Sequence, residues 1–171
     1  MNPVARIGLA VASAAAVAVL VATAEPNLYF PLISVPQGVS VVQIQDERVF
    51  LVREGSIIRP IRGVSTDSGE PVVWCPNEEA FVAPTDTSLW NLRGEWVAGP
   101  AKRDLDLFPH ETTTDLQIRV DVDSPGRRGR STGTISGEAG QRYQRFAAGD
   151  DFAFFCQDAV PRAPDAVPQL P

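Results

Sequence analysis

The chain has 171 residues, with 15 lysines and arginines against 21 aspartates and glutamates, so its formal net charge is −6. This length predicts one domain, and a hydrophobic fraction of 44% is enough to build one core. The acidic balance disfavours a general nucleic-acid binder, because such a protein needs a basic surface.

An uncharged, alanine- and valine-rich run covers residues 7–24, with Arg6 before it and Glu25 after it. As a helix this run would be about 27 Å long, which is near the lower limit for crossing a bilayer core. The position of the two charges predicts a cytoplasmic N-terminus and an exported domain. We therefore predict a single-pass transmembrane helix in the cytoplasmic membrane, with the domain on the periplasmic or extracellular side.

A cleaved secretory signal is the alternative for this segment, because Ala22-Thr23-Ala24 fits the small-x-small cleavage pattern. The aromatic stretch at residues 28–33 (LYFPLI) is typical of a membrane interface and favours a retained anchor. Both interpretations export the domain. We assign residues 1–27 to the membrane anchor or signal segment and residues 28–38 to a linker.

Beyond the linker, short apolar stretches separated by turns predict an all-β domain. Residues 39–45 and 48–53 are typical of a hairpin, and the alternation at residues 115–122 predicts a half-exposed strand. Further short strands are expected at residues 56–61, 72–74, 80–82 and 96–97. No segment beyond Pro31 has a helical stripe, so we expect a β-sandwich of short antiparallel strands.

Two short boxes carry the most specific pattern in the chain. They read Ser65-Thr66-Asp67 and Ala83-Pro84-Thr85-Asp86, with fifteen residues between Asp67 and Ala83. Small residues, proline and aromatic residues flank the boxes at Gly69, Phe81, Ser88, 90–94 (WNLRG) and 99–101 (GPA).

This arrangement resembles the cluster-binding segment of Rieske iron–sulfur domains, in which Cys-x-His and Cys-x-x-His boxes at this spacing supply two thiolates and two imidazoles. The resemblance covers about residues 39–122 and implies a Rieske-like β domain, which we place at residues 39–123. The four ligand positions are vestigial, since they hold Ser65, Asp67, Ala83 and Asp86. The cysteines that brace these loops in respiratory Rieske proteins would fall at Glu70 and Thr85, so the resemblance also implies that this disulfide is missing.

The residues at the four ligand positions predict that the chain binds no iron–sulfur cluster and no other cofactor. Ala83 has no donor atom, the Ser65 hydroxyl stays protonated near neutrality, and cluster iron prefers thiolate or imidazole to the oxygens of Asp67 and Asp86. A calcium or magnesium ion needs more oxygen ligands than these two aspartates supply. We expect Asp67 and Asp86 to be solvated or capping residues at loop tips, with a metal site as the alternative.

Residues 124–171 form a predicted extension. Its glycine- and serine-rich part, residues 124–140, carries Arg127, Arg128 and Arg130, and this composition predicts a mobile or partner-ordered loop. These arginines are candidates for contact with an acidic partner or an anionic headgroup, with a solvated loop as the alternative. Residues 151–156 (DFAFFC) predict one more strand before an extended, proline-containing tail.

Cys75 and Cys156 are the only cysteines. An even number in an exported chain indicates a disulfide. Two separately buried thiols are the alternative, because each cysteine has aromatic neighbours in the sequence.

The chain shows no enzyme machinery. Its single histidine, His110, lies in a turn-like segment, and no Gly-x-Ser-x-Gly motif is present. We predict a non-catalytic, cluster-free accessory or structural subunit of a membrane-bound electron-transfer complex, respiratory or photosynthetic. Its partners would be the membrane and the other protein subunits, without a nucleic acid or a small-molecule substrate. The alternatives are an exported metal- or redox-active protein using Asp67, Asp86 or Cys75, and a free exported binding protein.

Overall fold

The structure is a computed structural model that describes residues 19–22, 27–44, 46–135 and 156–160. Regular structure in these residues consists of strands and two single-turn 3₁₀ helices. The strands are β1 (Val19–Ala22), β2 (Asn27–Pro31), β3 (Gly38–Ile44), β4 (Glu47–Glu54), β5 (Ile57–Arg62), β6 (Val73–Cys75), β7 (Ala80–Val82), β8 (Leu89–Asn91), β9 (Trp96–Ala98), β10 (His110–Thr112) and β11 (Gln117–Asp121). The 3₁₀ helices are η1 (Leu32–Ser34) and η2 (Pro76–Glu78). The described part of the chain is all-β, which confirms the predicted class.

The first sheet has the strand order β1-β3-β4-β5. Consecutive hairpins join β3, β4 and β5, with Gly38 opposite Arg53 and Glu54 opposite Ile57. The hairpin predicted around residues 46 and 47 is confirmed. Strand β1 runs parallel to β3 and places Ala22 opposite Ile44.

The inner strands of this sheet are buried on both faces. Val42 and Leu51 point into one hydrophobic cluster, whereas Val41 and Phe50 point into another. The two clusters exist because side chains alternate along a strand, so successive apolar residues enter opposite sides of the sheet. The sheet therefore forms the central layer of the domain.

The second sheet, β10-β11-β2, covers the first of these clusters. Strand β2 pairs antiparallel with β11 along its whole length, from Pro31 opposite Gln117 to Asn27 opposite Asp121. Residues 28–31 therefore belong to a sheet, which differs from the linker predicted for residues 28–38. The cause is pairing with a strand almost ninety residues away, which no local pattern reveals.

The third sheet, β6-β7-β8-β9, is built from consecutive antiparallel hairpins and covers the second cluster. Its inner face is aromatic. The ring centroid of Phe81 lies 5.0 Å from that of Phe50 and 4.8 Å from that of Trp74. Both boxes singled out in the sequence lie in loops beside this sheet.

The apolar N-terminal run falls mostly outside the described residues. Its described part, Val19–Ala22, is a strand rather than part of the predicted helix. Over the residues that the structure describes, no helix has the length and apolar character needed to cross a membrane.

Strand bridges and a disulfide attach the extension beyond residue 123 to the domain. Gly126 forms a bridge with Leu107, and Val160 forms one with Trp74. Cys75 and Cys156 form a disulfide, with their Cα atoms 5.4 Å apart. The strand predicted over residues 151–156 lies outside the described residues except for Cys156, which is not in a strand.

Candidate functional site

The first box lies in a tight loop that follows β5. Val64 and Pro71 form an isolated bridge at its base. Inside the loop, the Ser65 N–H donates to the Glu70 carbonyl at 2.8 Å, and the Gly69 N–H donates to the Ser65 carbonyl at 3.0 Å. Gly69 has a φ of 74°, a conformation that favours glycine. The first loop is therefore a closed turn.

The second box lies between β7 and β8. The Ala83 N–H donates to the Ser88 carbonyl at 3.0 Å, and the Thr87 N–H donates to the Ala83 carbonyl at 2.9 Å. Gly99, just beyond β9, passes so close that a Cβ atom there would lie 2.5 Å from the Ser88 Cα atom. Glycine at position 99 therefore allows the chain to pack directly on the second loop.

The carboxylate of Asp86 joins the two loops. Its Oδ2 atom accepts hydrogen bonds from the hydroxyls of Ser65 and Ser68, each at 2.7 Å. Its Oδ1 atom accepts one from the Ser88 N–H at 2.8 Å. Ser65 is only 3% exposed, so its hydroxyl bonds in a largely dry environment. The first position of one box is thus bonded to the last position of the other.

The other two box residues singled out in the sequence, Ala83 and Asp67, lie apart from this contact. Ala83 is fully buried and belongs to the second hydrophobic cluster, beside Phe81 and Trp90. Asp67 is exposed, and its backbone N–H donates to the Ser65 hydroxyl at 3.3 Å. The structure therefore brings together Ser65 and Asp86 but places Ala83 in the core and Asp67 at the surface.

The electrostatics of Asp86 follow from its contacts. Burial opposes ionisation of the carboxyl group, but the hydrogen bonds from Ser88, Ser65 and Ser68 outweigh it and hold the pKa of Asp86 below 3.8. Asp86 is therefore an anion near neutrality and accepts charge-assisted hydrogen bonds from both loops.

These residues do not fit an iron–sulfur cluster. The four positions offer one hydroxyl, two carboxylates and no atom at Ala83, whereas cluster iron is bound by thiolate and imidazole. The oxygens of Ser65 and Asp86 already bond to each other. Within the described ranges, no group of three or more histidine, cysteine, aspartate or glutamate side chains is placed to hold a metal ion.

The hypothesis that Cys75 acts as an exposed thiol is wrong. Cys75 is fully buried and bonded to Cys156. It therefore contributes to stability rather than to redox chemistry at the surface.

Two of the three arginines proposed for partner contact have intramolecular partners. The Arg128 Nη2 atom lies 3.2 Å from an oxygen of Asp104, and its Nη1 atom donates to the Arg93 carbonyl at 3.0 Å. The Arg130 guanidinium lies 4.1 Å from the centre of the Trp96 ring. Residues 124–135 therefore wrap around the third sheet. Arg127 remains exposed at the surface.

Sequence reasoning missed Asp104, which organises this wrapping segment. Asp104 is 2% exposed. It accepts hydrogen bonds from the Trp96 N–H at 2.8 Å, the Ser131 N–H at 3.0 Å and the Ser131 hydroxyl at 2.5 Å. Its only sequence signal is an Asp-Leu-Asp-Leu alternation, which predicts exposed rather than buried carboxylates.

His110 lies at an exposed edge of the second sheet. It borders an open hollow of about 200 Å³, together with Pro109, Glu111, Arg119 and Asp121. No serine, threonine or cysteine lines this hollow, so His110 has no nucleophile to activate there.

No known family model matches the chain, and no curated protein matches it. Among solved structures, the chain is similar to the plasma membrane Rieske protein PetC3 of the cyanobacterium Synechocystis PCC 6803, at 24% identity and a TM-score of 0.41, over 48% of this chain and 85% of that one. It is also similar to the ferredoxin of carbazole 1,9a-dioxygenase from Nocardioides aromaticivorans IC177, at 15% identity and a TM-score of 0.41, over 56% of this chain and 97% of that one.

Proposed function

We propose that the chain is a cofactor-free, Rieske-like domain that serves as a non-catalytic accessory or structural subunit of a membrane-bound electron-transfer complex, respiratory or photosynthetic. One observation carries the proposal: the hydrogen bond of 2.7 Å between the Ser65 hydroxyl and the Asp86 carboxylate. It joins the two boxes at positions where a Rieske domain has metal ligands.

A Rieske domain without its cluster needs another way to hold these two loops together. In this chain the anionic Asp86 takes three hydrogen bonds, from Ser65, Ser68 and Ser88. Ala83 fills its position with a methyl group inside the apolar core. Hydrogen bonds to the Asp86 carboxylate and the packing of Ala83 thus hold the two loops together without an electron carrier.

The disulfide supports an exported location. Cys75 and Cys156 are 81 residues apart in sequence, and disulfides persist in oxidising compartments outside the cytosol. In the chain-entropy description, closing a loop of this length stabilises the fold by about 4–5 kcal/mol. An exported domain attached at the outer face of the cytoplasmic membrane accords with this chemistry.

We propose that the apolar N-terminal run attaches the domain to the membrane. Pairing of Val19–Ala22 with β3 leaves residues 7–18 of the run for contact with lipid. If helical, those residues would extend about 18 Å, which is shorter than the hydrocarbon core of a bilayer. A helix that crosses the membrane would therefore require β1 to leave the sheet.

Purification of the full chain from its native membranes in mild detergent tests this function. We expect haem-containing membrane subunits to remain attached, while the isolated chain contains no iron. A chain that salt washing releases without partners, and whose mature N-terminus is Glu25, would instead be a free exported protein.

A further inference from the structure

Two large apolar side chains, Ile57 at 53% and Leu116 at 65%, are exposed among the residues whose side chains the structure describes. Both lie at hairpin turns. Ile57 is the first residue of β5, directly after the turn at Gly55, and Leu116 is the last residue before β11. Single exposed apolar residues are ordinary, but these two lie on the same end of the domain.

Hydrogen bonds through η1 connect the two turns. The Leu32 N–H donates to the Leu116 carbonyl at 2.7 Å. The Arg53 guanidinium donates to the Leu32 carbonyl at 2.9 Å and to the Gly55 carbonyl at 3.1 Å. Gln37 also bonds to Gly55, in both directions. We call this surface the η1 end, formed by residues 31–37, 54–57 and 113–116.

The backbone conformation of Leu116 indicates that its side chain contacts a partner outside the domain. Its φ is 55°, in the left-handed region that disfavours side chains other than those of glycine, asparagine and aspartate. Because the side chain is 65% exposed, little burial within the domain offsets this strain. An apolar residue held in this way at a turn is a candidate for contact with an apolar partner.

The direction of β1 indicates which partner this is. Since β1 is parallel to β3, the first residue of β1, Val19, lies at the end of β1 that is nearer to Gly38. Gly38 lies opposite Arg53, at the η1 end. The described strand therefore begins on the side of β3 that leads to the η1 end, and residues 7–18, which precede it in sequence, are apolar.

We propose that the η1 end contacts the lipid bilayer directly, with Ile57 and Leu116 inserted among the acyl chains. This inference rests on the membrane attachment proposed above. Two separate apolar tips suit shallow insertion into lipid, whereas the core of a protein interface is a contiguous apolar patch. The net charge of −6 favours neutral, zwitterionic lipids over anionic ones.

This orientation has a consequence for the two braced loops. Strand β5 runs from Ile57 at the η1 end to Arg62, and the first box follows it. The loops joined by Asp86 therefore lie beyond the opposite end of β5, away from the proposed lipid surface. They are available there to the aqueous parts of neighbouring subunits.

Depth measurements on the full chain test the inference. Ile57→Cys, Leu116→Cys and, as the matched control at the opposite end, Asp67→Cys each receive one environment-sensitive fluorophore under non-reducing conditions, with the native disulfide intact. The labelled chains are reconstituted into phosphatidylcholine vesicles that contain a lipid-borne quencher. We expect several-fold stronger quenching at positions 57 and 116 than at position 67.

Each alternative result contradicts either the lipid contact or the membrane attachment. Equal quenching at all three positions, in a chain that floats with the vesicles, overturns the lipid contact and leaves membrane attachment standing. A chain that does not float overturns membrane attachment itself. If native subunits copurify and shield positions 57 and 116 from an aqueous quencher while the lipid-borne quencher does not reach them, the surface binds protein and the inference is wrong.

Discussion

Replacement of Asp86 by alanine tests the bracing of the two loops. The change removes the acceptor of three hydrogen bonds, from Ser65, Ser68 and Ser88. It also leaves the Ser65 hydroxyl, in a residue only 3% exposed, without this acceptor. Hydrogen bonds to charged groups contribute about 1.5–3 kcal/mol each, but Asp86 is only half-buried and Ser68 is exposed, so water replaces a large part of the three bonds. We expect Asp86→Ala to lower the free energy of unfolding by about 2–3 kcal/mol.

Urea unfolding of the oxidised protein at pH 7, followed by tryptophan fluorescence, measures this loss. Asp67→Ala is the matched control, because Asp67 is an exposed aspartate in the same loop pair, and we expect a change within about 0.5 kcal/mol. A double-mutant cycle with Ser65→Ala should give a coupling energy of about 1 kcal/mol between the two side chains. If Asp86→Ala is as stable as the control variant, the carboxylate does not hold the loops together.

The difference in unfolding free energy between wild type and Asp86→Ala should depend on pH. The pKa of Asp86 is lowered in the folded state, so the folded protein binds fewer protons than the unfolded chain. The stabilisation is therefore fully present above the ordinary value of 3.8 and is lost as the pH falls through the lowered pKa. We expect the stability difference between wild type and Asp86→Ala to be constant near neutrality and to shrink below about pH 4. A difference that grows on acidification would contradict the assigned hydrogen bonds.

Three further changes give separate tests. Asp104→Asn removes a buried charge that bonds to β9 and to residues 124–135. We expect it to lower the free energy of unfolding in urea by about 3 kcal/mol. A loss below about 1 kcal/mol would show that this carboxylate is dispensable. Replacing both Cys75 and Cys156 by serine should cost about 4–5 kcal/mol. Wild type under reducing conditions should lose a similar amount, and equal stability in both redox states would show that the disulfide does not form. Leu116→Asn suits the left-handed backbone better and should raise the melting temperature by about 2–4 °C, which is about 1 kcal/mol for a chain of this size; a lower melting temperature would mean that Leu116 packs within the fold.

The sequence patterns predicted the hairpins well because their information is local. Runs rich in valine, isoleucine and phenylalanine on either side of Asp46 specify β3 and β4 without help from distant parts of the chain. The spacing located the two boxes but did not predict that Ser65 and Asp86, 21 residues apart, bond to each other. The spacing of the boxes also did not predict the role of Ser68, whose hydroxyl donates a further hydrogen bond to the Asp86 carboxylate.

The missed features depend on long-range pairing. Residues 28–31 were assigned to a linker and their aromatic composition to a membrane interface, whereas they pair with β11 in a sheet. The burial of Asp104 was not predicted because it depends on contacts with Ser131 and Arg128, which are distant in the sequence. In both cases the deciding partner lies more than twenty residues away.

The most direct test of the central claim is a combined iron, acid-labile sulfide and electron paramagnetic resonance measurement on the full chain purified without added metal. If Ser65 and Asp86 replace the cluster by bonding to each other, dithionite-reduced protein should give no iron–sulfur resonance and contain only trace iron and sulfide. Iron and sulfide in equal, near-stoichiometric amounts, with the resonance of a reduced Rieske-type centre, would contradict the account.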